Sequence, residues 1–174
     1  MKMRTLFYRG YTILALISLF VIAEACSQQS PKISVEKTVN DIKIGIEYFS
    51  PKARGRVIWG DLVPYDEVWR TGANNATVFE VSKNVKIDGV VVPAGKYALF
   101  TIPTKEGTWT VILNKKHDQW GAYNYDQKED QLRFKVNTQR TIEMTEDLAF
   151  SIDDDGNVIF KWEYLSFRFP VLPG

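Results

Sequence analysis

Two stretches of this 174-residue chain gather side chains able to do chemistry. The first, WGDLVPYDEVWRTGANNAT at 59–77, sets Trp69, Arg70, Thr71, Asn74 and Asn75 beside Asp61, Asp66 and Glu67. A guanidinium and two amides offer directed hydrogen bonds, and an indole offers a flat apolar platform. That combination suits a polar or sugar-like ligand. Gly72 marks a backbone position with unusual dihedrals or a close approach. A purely structural reading stays open beside it: Trp69 plugs the core, and Arg70 pairs with Asp61 or Asp66 to staple a long crossover. The second stretch, NKKHDQWGAYNYD at 114–126, places Trp120, Tyr123 and Tyr125 around Gly121. It also holds the single histidine, His117, next to Asp118.

Several chemistries fit poorly. One histidine and one cysteine do not make a usual zinc or iron centre. No glycine-flanked serine of the nucleophile-elbow kind is present. His117 lies in the polar string KKHD and reads as a surface turn. No metal, cofactor or catalytic residue is therefore expected. Asp61, Asp66, Glu67 and Asp126 keep a glycan hydrolase open as an alternative; it needs two carboxyl groups about 5–9 Å apart across a cleft. The run Asp153-Asp154-Asp155-Gly156-Asn157 lacks the spaced ligands of a calcium loop and reads as a hairpin turn.

The lone cysteine, Cys26, ends an export leader. Lys2, Arg4 and Arg9 precede an apolar run at 11–23, too short for a confident membrane span. Ala23-Glu24-Ala25 then offers small residues for an ordinary signal peptidase. Ala25 before Cys26 is also similar to a lipobox, although Ala23 and Glu24 depart from its common pattern. Acylation gives the cysteine a role and a stable anchor; a free thiol on an exported terminus would invite intermolecular pairing. The expected organisation is a signal peptide at 1–25, a lipidated N-terminus and tether at 26–31, and one domain at 32–174. The leader carries three of the 22 basic residues and one of the 21 acidic ones, so the remainder is formally −1. Nothing there favours a nucleic-acid partner. The expected partner is a membrane, held through the lipid anchor at the cell envelope; the oligomeric state is not readable.

The elements that must position these residues are strands. IKIGIEY at 42–48 alternates strictly, with Ile42, Ile44, Ile46 and Tyr48 on one face. Further strands read at 77–81, 85–92 around Asp88-Gly89, 96–102, 108–113, 131–136, 148–152, 158–164 and 166–169. Brief helical turns are expected near Tyr65–Trp69 and after Asn114, and 123–130 reads as loop. With no disulfide, the domain must be held by its core. The fold class is all-β: a single-domain antiparallel β-sandwich, jelly-roll-like.

The stretches VWRTGANNAT, AGKYALFTIP and QWGAYNY, with KWEYLSFRFPV near the end, resemble the DUF2911 family of exported proteins, found mainly in Bacteroidetes. The resemblance runs over nearly all of the chain after the leader. It implies a β-rich envelope protein, often with a lipoprotein-type signal, and it assigns no catalytic residue. The function expected is binding of a small polar or carbohydrate-like ligand through Trp69, Arg70, Thr71, Asn74, Asn75, Trp120, Tyr123 and Tyr125, with lipidation at Cys26. A structural or assembly role in the envelope is the remaining alternative.

Overall fold

The computed structural model describes residues 29–174. The leader and Cys26 lie outside the described residues. Eleven strands are seen, with no α-helix among the described residues. They are β1 (Lys32–Val39), β2 (Ile42–Phe49), β3 (Thr77–Val81), β4 (Val85–Ile87), β5 (Val90–Val92) and β6 (Gly95–Ile102). Then come β7 (Thr108–Asn114), β8 (Asp130–Asn137), β9 (Gln139–Ile152), β10 (Asn157–Pro170) and β11 (Leu172–Pro173).

One layer is a six-stranded sheet in the order β1-β2-β3-β6-β7-β8, antiparallel throughout. Neighbours in sequence are neighbours in the sheet, except where the β4–β5 hairpin leaves between β3 and β6. The hairpin turns at Asp88 (φ 50°) and Gly89 (φ 78°), the two positive dihedrals that a tight two-residue connection requires. The facing layer is the long β9–β10 hairpin, accompanied by the small β11-β4-β5 sheet. Strand β9 reaches β1 and β10 reaches β8, so the hairpin meets both edges of the large sheet. The result is an antiparallel β-sandwich.

Its core follows from alternation. Ile44 and Ile46 of β2 face Val81 and Phe79 of β3, and Leu99 of β6 faces Leu113 of β7, which faces Leu132 of β8. All are buried together with Phe150, Phe160, Trp162, Phe167 and Phe169 from the facing hairpin. At its centre Trp59, Trp69, Trp109 and Trp162 meet with ring centroids 4.8–5.9 Å apart, mostly edge to face. Aromatic pairs in such geometry contribute about 0.5–1.5 kcal/mol each beyond the area they bury.

The large sheet is also covered on its other face. Ala98, Phe100 and Ile112 form a second cluster with Ala76, roofed by Val68, Ala122 and Tyr125. This explains why β6 and β7 are continuously buried where β2 alternates.

Several expectations are corrected. No helical turn forms at 65–69; Asp66 N–H donates to Pro103 O and Trp69 N–H to Thr101 O, which draws the backbone out along β6. None follows Asn114 either, because Lys115 N–H is taken by Glu129 O. The only helical piece among the described residues is one 3-10 turn at Gln127–Glu129, inside the segment read as loop, where the Asp126 side chain accepts from Lys128 N–H. The strands expected at 158–164 and 166–169 are one strand, β10, bent by bulges near Glu163. Strand β1 and the polar first half of β9 have no counterpart in the sequence reading.

Candidate functional site

The 27 residues between β2 and β3 contain no long strand, yet they are firmly placed. At their start Pro51 and Ala53 are bonded to β9: Leu148 N–H donates to Pro51 O (2.9 Å) and Ala53 N–H to Glu146 O (2.8 Å). Near their end Trp69 and Thr101 exchange both backbone hydrogen bonds, at 2.8 and 2.9 Å. Gly72 closes the turn by close approach: a Cβ there would lie 3.0 Å from Phe49 O. Thr71, at φ 52°, is a β-branched residue in the left-handed region. Its hydroxyl bonds to the Thr101 hydroxyl (3.1 Å), and its carbonyl accepts from the Thr77 hydroxyl (2.9 Å). A buried polar knot thus holds a strained backbone immediately after Arg70.

The second loop docks onto the first. Asn75 and Trp120 form an antiparallel bridge, Ala76 N–H donates to Gln119 O, and Gly121 N–H donates to Asn74 O, both at 3.0 Å. From beneath, Asn114 donates to Asp126 O (2.9 Å) and to the Asp130 carboxylate (2.8 Å), which also accepts from the Tyr125 hydroxyl (2.6 Å). Burial and that carboxylate hold the Tyr125 hydroxyl well above its ordinary range.

Between these loops and residues 50–56 opens a cleft of about 810 Å³. Arg70, Tyr123, Lys52, Arg54, Arg56 and Glu67 supply its polar wall. Arg70 follows Trp69 on the chain but turns toward the second loop. Its Nη1 lies 3.9 Å from where a Gly121 Cβ would stand, and Tyr123 flanks the same point. The Arg70 Nε is buried without a hydrogen-bond partner among the described residues. Burial pushes the guanidinium pKa down. Neither Asp61 nor Asp66 pairs with it.

The eight residues singled out in the sequence are brought together only in part. Arg70 and Tyr123 line the cleft, and Trp69 adds an edge to it while its ring belongs to the tryptophan core. Thr71 is sealed in the polar knot. Asn74 gives its carbonyl to Gly121, and Tyr125 roofs the second cluster against Phe100. Trp120 is exposed away from the cleft walls. Asn75 faces a second hollow of about 450 Å³ with His117 and Asp118. Charges there are matched across strands: Lys32 with Glu47, Lys43 with Glu36 and Lys96 with Glu80. Sequence reasoning missed Lys52, Arg54 and Arg56. Their spacing of two, Lys-Ala-Arg-Gly-Arg, was the available signal.

Residues 30–171 match a family described as protein of unknown function, DUF2911. The chain belongs to the DUF2911 family. No curated protein and no solved structure matches it. The matched span contains both loops and all but one residue of the cleft wall. In this DUF2911 chain, of the four carboxylates considered for hydrolysis only Glu67 lines the cleft. Asp126 caps the 3-10 turn. Among the described residues no group of three or more His, Cys, Asp or Glu side chains could hold a metal ion. What the arrangement offers chemically is a cavity of mixed polar and apolar lining, with four cationic side chains and one carboxylate among its described residues.

Proposed function

We propose that this chain is an exported, lipid-anchored protein of the bacterial cell envelope that binds a small polar, carbohydrate-like ligand in the Arg70–Tyr123 cleft. In this reading residues 1–25 are a signal peptide, Cys26 carries the lipid, 26–31 are the tether and 32–174 are the binding domain. The observation that carries the binding reading is the cleft itself. Its volume of about 810 Å³ is that of a small-molecule site. Two loops stitched by backbone hydrogen bonds wall it, and the Arg70 Nε has no hydrogen-bond partner among the described residues. The phenol of Tyr123, largely exposed beside that arginine, gives a sugar ring a surface to lie on.

An array of neutral and acidic glycans and cell-wall fragments, probed with the full chain in detergent, tests it. Retention of a defined subset is expected, with loss in folded Arg70→Ala and Tyr123→Ala variants. Retention of nothing by the wild type, or unchanged retention by both variants, removes the cleft from consideration. Mass spectrometry of the mature N-terminus tests the anchor: an acylated Cys26 is expected, and an unmodified Cys26 rejects it.

A further inference from the structure

We infer that the ligand bears an oxyanion, a carboxylate or phosphate group, and that Arg70 is the residue that receives it. This inference rests on the cleft reading above and narrows it to a ligand class.

The charges around the cleft are not equivalent. The Lys52 ammonium is held by Asp147 at 2.9 Å. Arg56 donates Nε–H to Ala53 O at 3.1 Å and Nη2 to Lys52 O. Those carbonyls occupy its hydrogens without cancelling its charge. Among the described residues Glu67 is the single carboxylate on the wall, and it forms no ion pair. Arg70 is then the cation that combines desolvation with an unmet donor.

A buried donor without a partner costs free energy, and a partly buried charge without a counter-ion costs more. A neutral sugar hydroxyl would satisfy a donor and leave the charge uncompensated. An oxyanion answers both at once, and a guanidinium presents its donors as a planar fork that matches carboxylate or phosphate oxygens. The surrounding backbone keeps that fork clear. Gly121 has φ 63°, and a side chain there would press on the Tyr123 ring at 3.1 Å, beside Arg70 Nη1. The knot around Thr71 fixes the chain one residue away, so Arg70 is presented from a rigid base.

Calorimetric titration of the full chain in detergent tests this, using matched probes. These are a neutral glucose oligomer, the same oligomer ending in glucuronate, inorganic phosphate, and phosphatidylglycerol against phosphatidylcholine in mixed micelles of the same detergent. The acidic probes are expected to bind at least tenfold tighter than their neutral counterparts. Arg70→Gln should abolish that preference, and Arg70→Lys should retain part of it, with both variants folded by circular dichroism. Preference for the soluble acids identifies a diffusible ligand; preference for the phosphatidylglycerol micelles alone identifies a headgroup. Equal binding of neutral and acidic probes overturns the inference and leaves the cleft reading intact. So does an acid preference undiminished in folded Arg70→Gln. Binding of no probe, with no glycan retained on the array, rejects both.

Discussion

A side chain kept for a ligand costs the empty protein stability, and Arg70→Met measures that cost. Methionine keeps the unbranched stem that packs along the cleft wall and removes the guanidinium. The lost group includes an Nε that is buried and unpartnered. An unmet buried donor costs about 1–3 kcal/mol. Because the rest of the guanidinium reaches the open cleft, the lower end applies, and the variant should be about 1 kcal/mol more stable than the wild type. For a domain of this size that is a rise in Tm of about 2–4 °C. Removing one of four neighbouring cations also relieves repulsion, so the gain should shrink as salt is raised. It should not vary with pH near neutrality. Burial lowers the folded pKa of Arg70 below its unfolded value, so the penalty is complete wherever both states are charged, which includes the whole neutral range. Thermal unfolding followed by circular dichroism, at low and high salt without ligand, is the assay. A fall in Tm of about 3 °C or more would refute the reasoning, because it would make Arg70 a staple of the crossover.

Two further outcomes are expected. Tyr125→Phe removes the 2.6 Å bond to the Asp130 carboxylate and should cost about 1.5–3 kcal/mol at pH 7. The Tyr125 pKa is raised in the fold, so its contribution is complete below about pH 10 and is lost as pH rises through the higher folded value. Urea titrations should therefore show wild type and variant converging above pH 10, and a constant gap would contradict this. Trp69→Ala should cost about 3–5 kcal/mol, since it empties a position among Trp59, Trp162 and Phe160. Urea melts will show it, and a loss under 1 kcal/mol would mean that the ring matters to the cleft and little to the core.

The strands legible in the sequence were those with at least one buried face. Ile42 to Tyr48 alternates because the facing layer covers only one side of β2. Strand β1 was missed because it is an edge: exposed Lys32, Ser34 and Glu36 alternate with half-buried Ile33 and Val35, Lys37 interrupts that half-buried face, and no residue in it is fully buried. The first half of β9 escaped for a similar reason, since Gln139–Met144 are mostly exposed and owe their extension to pairing with β10. At the site, composition singled out both loops. It could not separate Trp69, which turns into the core, from Arg70, which turns to the cleft. That choice is made by the pair of hydrogen bonds with Thr101, a residue 32 positions from Trp69. Lys52, Arg54 and Arg56 join the site through pairing of 51–53 with β9, which no local pattern reports.

Gln29, Ser30 and Pro31 form part of the cleft wall. Gln29 stands three positions after Cys26, and an extended chain covers at most about 3.6 Å per residue. If Cys26 carries acyl chains, the mouth of the cleft is on a leash of about 10 Å and opens within a Debye length of the lipid headgroups. Capture then becomes a search in two dimensions. Molecules displayed on that membrane meet the cleft at a high effective concentration, while those arriving from the bulk must slip between the domain and the bilayer. Lengthening the tether would exchange the first population for the second without altering a single contact in the site.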